Sequence, residues 1–341
     1  MKLLEVKTRN PNILHLTWIL NNICTNACSY CDPILYAGKN HHYEWQHAEK
    51  FIQEVSKRYD KINLSLSGGE PTLSPWLLDL CKQVNGDIHI TTNGVSSFRK
   101  YEELSKYVCG WSFSWHPEFQ QEGWLDKVSQ IAYLSSVTVR IMAPANKMTE
   151  VNNFLNLIKS KQRNFQYEVV KIQPRGNIDI NTMKYSNVNE QQLVEWNDHS
   201  PGYSTKEFLR SKKHAFPNLT ADQIGRDAEY IFDITDVGVL RDNFQKSYVS
   251  SNDIIKHGFT NYQGWLCNIG LESLFVHFDG SIKRGNCPVG GEIGNIQNFE
   301  GIQWPLDPIV CTSTRCDCNT DIRITKKKPA EAGSAILDDK V

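Results

Sequence analysis

The sequence predicts an α/β fold built on a parallel sheet. Between Leu14 and Gln173, six strand-like runs alternate with five helix-like ones, the pattern of repeated βα units. Unusual loops follow the strands: the stretch from Asn22 to Cys31, Gly68-Gly69-Glu70-Pro71, Thr92-Asn93-Gly94, His116-Pro117-Glu118 and Gln173-Pro174. In sheets of this kind function collects at the carboxyl edge, so the loops point to a single mouth-like site. From Gly264 the texture changes to a hairpin signal and a group of cysteines.

The elements follow in order. Leu14-His15-Leu16-Thr17-Trp18-Ile19 is an apolar run of strand length. Tyr43 to Tyr59 places Trp45, Ala48, Phe51, Ile52 and Val55 at helical spacing. Lys61 to Ser67 alternates with period two, and Pro75 to Val84 is the next helix, with Pro75 suited to its first turn. Ile88 to Thr92 is a strand, Phe98 to Tyr107 a helix, and Trp111 to Trp115 a strand. Trp124 to Leu134 is helical, Val137 to Met142 extended, and Thr149 to Lys161 a helix capped near Thr149-Glu150. Phe165 to Gln173 is the sixth strand, stopped by Pro174-Arg175-Gly176.

Residues 177–263 show periodic patches at Glu190 to Trp196 and Thr220 to Tyr230, between polar loops. A linker or a substrate-side lid both fit. Farther on, Leu274 to Phe278 and Ser281 to Arg284 flank Asp279-Gly280, a strong hairpin turn. Gly290-Gly291 and Gly294-Asn295 predict further turns, and Lys326 to Val341 a fraying tail.

Composition narrows the class. The 341 residues are 40% hydrophobic and 22% charged, with a net charge of -1, which is ordinary for a globular protein. That balance gives no global attraction to nucleic acid or anionic membrane. No apolar stretch approaches the roughly 20 residues of a membrane span, and the opening residues lack a secretory segment. Three of the ten cysteines lie at 24–31 and five at 267–318, while Cys81 and Cys109 stand apart as core residues. Clustered thiols in a chain of this size indicate metal ligands in a reducing cytoplasm rather than a disulfide scaffold.

Cys24, Cys28 and Cys31 form C-x3-C-x2-C just beyond the first strand of the alternation. A tetrahedral zinc site wants four ligands. Three thiolates on a four-metal cluster leave one metal open to a group that is not protein; three unrelated buried cysteines are the alternative. With Tyr30 before Cys31, the motif resembles the C-x3-C-x-aromatic-C signature of the radical S-adenosylmethionine (radical SAM) enzymes. The resemblance implies an incomplete (β/α)6 barrel and a [4Fe-4S] cluster whose open iron is chelated by S-adenosylmethionine. It further implies reductive cleavage to a 5'-deoxyadenosyl radical that abstracts a substrate hydrogen. An external reductant of flavodoxin or ferredoxin type is expected with it.

Other residues acquire roles from the same resemblance. Gly68, Gly69 and Glu70 match the family's second motif, which binds the cofactor's amino group, and Tyr30 belongs to the first. Thr92, Asn93, Ser114 and Arg140 lie where polar residues hold the ribose and the methionyl carboxylate. Arg140 suits the carboxylate because guanidinium binds it through two bonds; an ordinary ion pair is the alternative. His116 is the candidate for a catalytic proton role, against a simple hydrogen bond in the mouth.

Cys267 and Cys287 flank the hairpin, and Cys311, Cys316 and Cys318 follow from a turn-rich segment. Four of these five thiolates can hold an iron–sulfur cluster or a structural zinc. The group resembles the twitch or SPASM-type auxiliary-cluster domains found after many such barrels, twitch more closely. Cys267, Cys287, Cys316 and Cys318 are the expected ligands and Cys311 the spare. The expected organisation is a partial barrel over 1–176, a linker over 177–263, an auxiliary-cluster domain over 264–325 and a flexible tail over 326–341. A peptide or protein substrate is expected by analogy with maturases, although no separate leader-binding domain precedes the barrel. An aminoglycoside- or nucleotide-like small molecule is the main rival. Nucleic-acid modification would draw on a local patch such as Lys326-Lys327-Lys328. A zinc-binding interaction protein would explain only the C-terminal cysteines.

Overall fold

The structure, a computed structural model, describes residues 2–6, 12–39, 42–119, 121–160, 164–172, 179–198, 236–242, 245–250, 254–255, 258–316, 318 and 320–329. After β1 (Lys2–Val6), the alternation appears as expected: β2 (Ile13–Ile19), α1 (Trp45–Arg58), β3 (Lys61–Ser67), α2 (Leu77–Gln83), β4 (Ile88–Thr92), α3 (Phe98–Leu104), β5 (Gly110–Trp115), α4 (Trp124–Ile131), β6 (Ser136–Ala143), α5 (Met148–Ser160) and β7 (Gln166–Lys171). Every neighbouring pair from β2 to β7 is parallel. The sheet is open, with β7 at one edge. This is a mixed α/β fold compatible with a partial barrel.

Alternation along β2 explains the layering. Leu14, Leu16 and Trp18 are fully buried and face the helices, where Trp18 meets Phe51 edge-on at 5.7 Å and its indole N–H donates to the Tyr43 hydroxyl at 2.8 Å. In α1, Ala48, Phe51, Ile52 and Val55 form the buried stripe that answers them. Across the sheet Trp115 stacks on Phe154 of α5 with centroids 4.0 Å apart. The opposite face is polar. Register places Thr17 beside Ser65, Ser112 beside Thr138, and Ser114 beside Arg140 and Glu168. Small hydroxyls do not fill a barrel interior as branched side chains do; at the β2 end this face is covered, where Thr17 Oγ1 donates to Thr320 Oγ1 at 3.4 Å.

The predicted hairpin forms between β11 (Ser273–Val276) and β12 (Ser281–Lys283). Gly280 has a φ of 85° at its turn. The hairpin is no separate layer: β11 pairs in parallel with β2, matching Ser273 with His15 and Val276 with Trp18. β12 and β13 (Glu292–Asn295) complete a nine-stranded sheet.

A second, six-stranded sheet runs in the order β14-β10-β15-β1-β8-β9, using β8 (Asp236–Asp242), β9 (Gln245–Ser250), β10 (Leu266–Cys267), β14 (Ile309–Val310) and β15 (Lys326–Lys327). The N-terminal strand therefore belongs with C-terminal ones. Leu3, Val6, Ile254, Tyr262, Ile269, Ile322 and Ile324 pack there with Cys267, Cys311 and Cys316.

Several expectations are corrected. Gly294 lies inside β13, and the expected turn begins only at the strand's last residue, Asn295, whose carbonyl accepts from Asn298 N at 3.0 Å; a Cβ on Gly294 would approach Ile302 Cα to 2.9 Å, so close backbone packing explains the glycine. Thr149 lies inside α5, which continues from the 3-10 turn Ala145–Lys147. Lys326 and Lys327 form a strand, and Lys326 is only 1% exposed, so of the lysine run only Lys327 and Lys328 face solvent. The helix patch at Glu190 to Trp196 lies within α6 (Asn187–Asp198), whose Leu193 and Trp196 join the main core. The Thr220 to Tyr230 patch, the Gln173-Pro174 loop and the tail beyond Pro329 lie outside the described residues.

Candidate metal centres and cofactor mouth

The chain leaving β2 folds back along the end of β3. Gly69 N donates to Asn21 O at 2.9 Å and Glu70 N to Ile23 O at 2.8 Å. A Cβ on Gly69 would lie 2.2 Å from Ile23 O and 2.4 Å from Leu35 O. Glycine is therefore required here to admit the cysteine loop's own backbone. The signal was readable as two glycines at a strand end, although their first partner is the loop.

Cys24, Cys28 and Cys31 line one cavity of about 150 Å³ with Asn26, Leu35, Ser67, Gly68, Gly69, Thr91, Thr92, Asn93, Ser114 and His116. The carboxyl edges of β2, β3, β4 and β5 thus meet where expected. Burial pushes the Cys28 thiol up to about 12 and Cys31 to about 11, and raises Cys24 as well. Without metal these are neutral thiols, and loading must release their protons. Asn26 N and Asn93 Nδ2 approach Cys24 Sγ at 3.4 and 3.5 Å, donors that suit a thiolate.

Among the described residues no three His, Cys, Asp or Glu side chains are grouped to hold a single metal ion. Thiolates on one zinc would stand about 3.8 Å apart, from a zinc–sulfur bond near 2.3 Å in a tetrahedron. A four-iron cluster takes each thiolate on a different iron and tolerates wider spacing. Three thiols set around a shared cavity fit that larger group.

Glu70 lies behind the mouth and is fully buried. Its Oε1 accepts from Thr72 N at 3.0 Å, Thr72 Oγ1 at 2.6 Å and Thr92 Oγ1 at 2.7 Å; its Oε2 accepts from Asn93 N at 2.7 Å. Burial pushes the carboxyl up while these donors pull it down. The carboxylate thereby ties the β3 and β4 loops together, a use that Gly-Gly-Glu alone does not signal.

His116 lines the cavity, with Nδ1 2.9 Å from the Tyr30 hydroxyl and 3.4 Å from Cys28 Sγ. Burial lowers it to about 4, which favours the neutral imidazole, with one ring nitrogen carrying a proton and the other free to accept one. Tyr30 stacks on it with rings 6.0 Å apart. Arg140 does not line the cavity; its Nε donates to Glu168 Oε1 at 2.6 Å on the half-exposed concave face. Several residues were not singled out by the sequence, Asn26, Leu35 and Ser67 of the lining among them. Thr91 lines the mouth, and Glu118 accepts the Ser29 N–H at 2.9 Å and also the Ser29 hydroxyl. The only hint of Glu118 was its place two residues beyond His116.

The C-terminal cysteines gather beside the second core. Cys267, Cys311 and Cys316 are buried, while Cys287 and Cys318 are partly exposed. The charges of Cys311 and Cys318 act on Cys287, and those of Cys267 and Cys287 on Cys316, so all five share one neighbourhood. Buried Asp321 accepts the Cys287 N–H at 2.6 Å, and Asn286 Nδ2 donates to Cys318 Sγ at 3.3 Å. The Tyr262 hydroxyl is buried without a hydrogen-bond partner, and Cys316, Cys267 and Cys311 act on it electrostatically. An orphaned donor among thiols fits an inorganic group with acceptor sulfurs. Cys81 is a core residue as expected, whereas Cys109 is partly exposed at the base of β5, with Sγ 3.4 Å from His89 Nε2.

Three thiols and paired glycines thus line one cavity at the carboxyl edge of an open parallel sheet, a donor set of the kind a multinuclear metal group takes. Residues 18–113 match the family model of the radical SAM superfamily. That stretch, from β2 to β5, is a radical SAM domain, and the superfamily it belongs to is one of enzymes. No curated protein matches the chain in sequence. Among solved structures, anSMEcpe with bound AdoMet and Kp18Cys peptide is 17% identical, with a TM-score of 0.46 over 85% of this chain and 83% of that one. SuiB of Streptococcus suis bound to S-adenosylmethionine is 13% identical, with a TM-score of 0.46 over 83% of this chain and 63% of that one. SuiB is also known bound to the precursor peptide SuiA, at 14% identity and a TM-score of 0.40. Among the described residues no helix is long and apolar enough to cross a membrane.

Proposed function

We propose that this protein abstracts a hydrogen atom from a peptide or protein substrate, using a [4Fe-4S] cluster and S-adenosylmethionine in the mouth and a second iron–sulfur cluster at the C-terminal cysteines. The observation that carries the proposal is the convergence of Cys24, Cys28 and Cys31 with Gly68, Gly69, Thr92, Asn93 and Ser114 on one cavity. When bound, the cluster and cofactor supply a 5'-deoxyadenosyl radical. Cys24, Cys28 and Cys31 are the protein ligands. Gly68 and Gly69 bring backbone close to the cofactor, and Glu70 acts by holding Thr92 and Asn93 in place. Thr92, Asn93 and Ser114 offer hydroxyl and amide groups to polar parts of the cofactor. His116, as a neutral imidazole, orders Tyr30 and Cys28 and stays the candidate for a proton role in the mouth. Arg140 can reach a carboxylate only by giving up Glu168.

The polar sheet face beside the mouth, with Ser112, Ser114 and Thr138 in register, offers hydrogen-bonding groups to a substrate. A peptide is the reading preferred on architecture, and an aminoglycoside- or nucleotide-like molecule is the rival. Four of Cys267, Cys287, Cys311, Cys316 and Cys318 hold the second cluster. A flavodoxin or ferredoxin supplies the electron, and a cytoplasmic setting suits clusters that must stay reduced.

The test is anaerobic purification, iron analysis, and addition of dithionite with S-adenosylmethionine. The expected result is about eight irons per chain from two four-iron clusters, and 5'-deoxyadenosine as product. A Cys24→Ala, Cys28→Ala, Cys31→Ala triple variant should keep half the iron and lose the product. Zinc without iron, or intact cofactor after reduction, would sink the proposal. A peptide panel against small molecules, read by substrate-dependent product formation, decides between the substrate classes.

A further inference from the structure

Beyond the presence of a C-terminal cluster, on which the inference rests, we propose that Tyr262 and Lys326 tune that cluster's reduction potential upward, one through a hydrogen bond to sulfur and the other through its charge. Tyr262 is fully buried, and its ring meets Trp265 edge-on at 5.3 Å, which fixes it in place. Among the described residues its hydroxyl has no hydrogen-bond partner. A buried hydroxyl without a partner is costly, and phenylalanine would fill the same space without that cost. Lys326 stands in β15 directly across from Cys267 of β10. Its Nζ lies 4.9 Å from the Tyr262 ring centroid and donates to Asp321 O at 2.5 Å and Ile324 O at 3.0 Å. A lysine 1% exposed is expensive unless negative charge is close by. Asp321, 2% exposed, supplies part of it, but its carboxylate is bonded to the Cys287 and Asn286 N–H groups. The remaining negative charge would come from a cluster held by Cys267, which faces Lys326 across the strand pair, and Cys316, which packs in the same core.

Donors to cluster sulfurs and nearby cations stabilise the more negative, reduced state. The couple is a one-electron one, in which the cluster accepts an electron from dithionite or the protein reductant and no bond forms or breaks. Such tuning suits a centre that accepts electrons; a structural zinc would have no use for it.

The experiment uses full-length protein in the Cys24→Ala, Cys28→Ala, Cys31→Ala background, where only the C-terminal centre remains. Iron content and an EPR-monitored redox titration are measured with and without Tyr262→Phe or Lys326→Gln. The expected result for Tyr262→Phe is unchanged iron and a lower midpoint, with the reduced-to-oxidised ratio at fixed potential falling about tenfold, or about 59 mV for one electron. Lys326→Gln should shift in the same direction; if it fails to fold, the conservative Tyr262→Phe decides alone. Full iron with an unmoved midpoint in Tyr262→Phe overturns the tuning while leaving the cluster reading intact. Loss of iron from Tyr262→Phe also overturns it, because the tyrosine would then be a support. Zinc or no iron in the background overturns the cluster reading itself.

Discussion

Glu118 holds Ser29 from across the mouth: one carboxylate oxygen accepts the Ser29 N–H at 2.9 Å and the other its hydroxyl. Ser29 lies between Cys28 and Cys31, so a residue of the β5 loop staples the cysteine loop at its centre. Replacing Glu118 with Ala should loosen residues 28–31 without disturbing the core. Iron bound after reconstitution should fall several-fold, while Glu118→Gln, which keeps one acceptor, should fall less. Equal iron in all three proteins would show that the staple is dispensable.

Gly69→Ala should be far more damaging than its one methyl group implies. The new Cβ would lie within 2.4 Å of two carbonyl oxygens, and both belong to backbone that cannot swing aside. Either the cysteine loop or the β3 end must move. Iron content and S-adenosylmethionine binding should both be lost, measured by metal analysis and equilibrium dialysis on protein checked for folding by circular dichroism.

Glu70→Gln should cost stability even in metal-free protein. Four donors point at the carboxylate, and an amide turns one acceptor into a fifth donor. Leaving buried donors unpaired costs about 2 to 4 kcal/mol. Denaturant unfolding should show a lower midpoint with an unchanged slope, since the area exposed on unfolding is the same.

Acid should weaken the fold through His15. Burial, aided by the charge of Arg323, lowers this histidine to about 4 from an ordinary 6.5. Because the folded value is depressed, the neutral form's contribution is complete above pH 6.5 and is lost as pH falls from 6.5 toward 4. Between pH 7 and pH 5 the loss is on the order of 1 to 2 kcal/mol. His15→Gln does not titrate, so its thermal midpoint should fall less over the same range. Parallel curves for the two proteins would remove His15 as the cause.

Local patterns were readable and distant pairings were not. β3 and β4 occupy the residues expected for them, and along β4 burial alternates as a half-buried strand should. The cysteine loop and Gly68-Gly69 were visible because few residue types serve at those positions. By contrast, nothing in Leu274 to Phe278 names β2 as its partner; strand pairing across such a separation is decided by the whole sheet. β10, β14 and β15 are two residues each, too short for any periodicity to register. Lys326 looked like surface because lysine usually is, and its burial depends on neighbours from distant segments.

The parallel pairing of β11 with β2 has a consequence for how the chain is made. Until residues 273–276 leave the ribosome, the edge of β2 that they cover has no ladder partner, and that edge runs up to the cysteine loop. Late closure of so long a loop slows folding, and a bare strand edge invites association between nascent chains. Expression at low temperature with ample iron and sulfide should favour soluble, metal-loaded protein over aggregate.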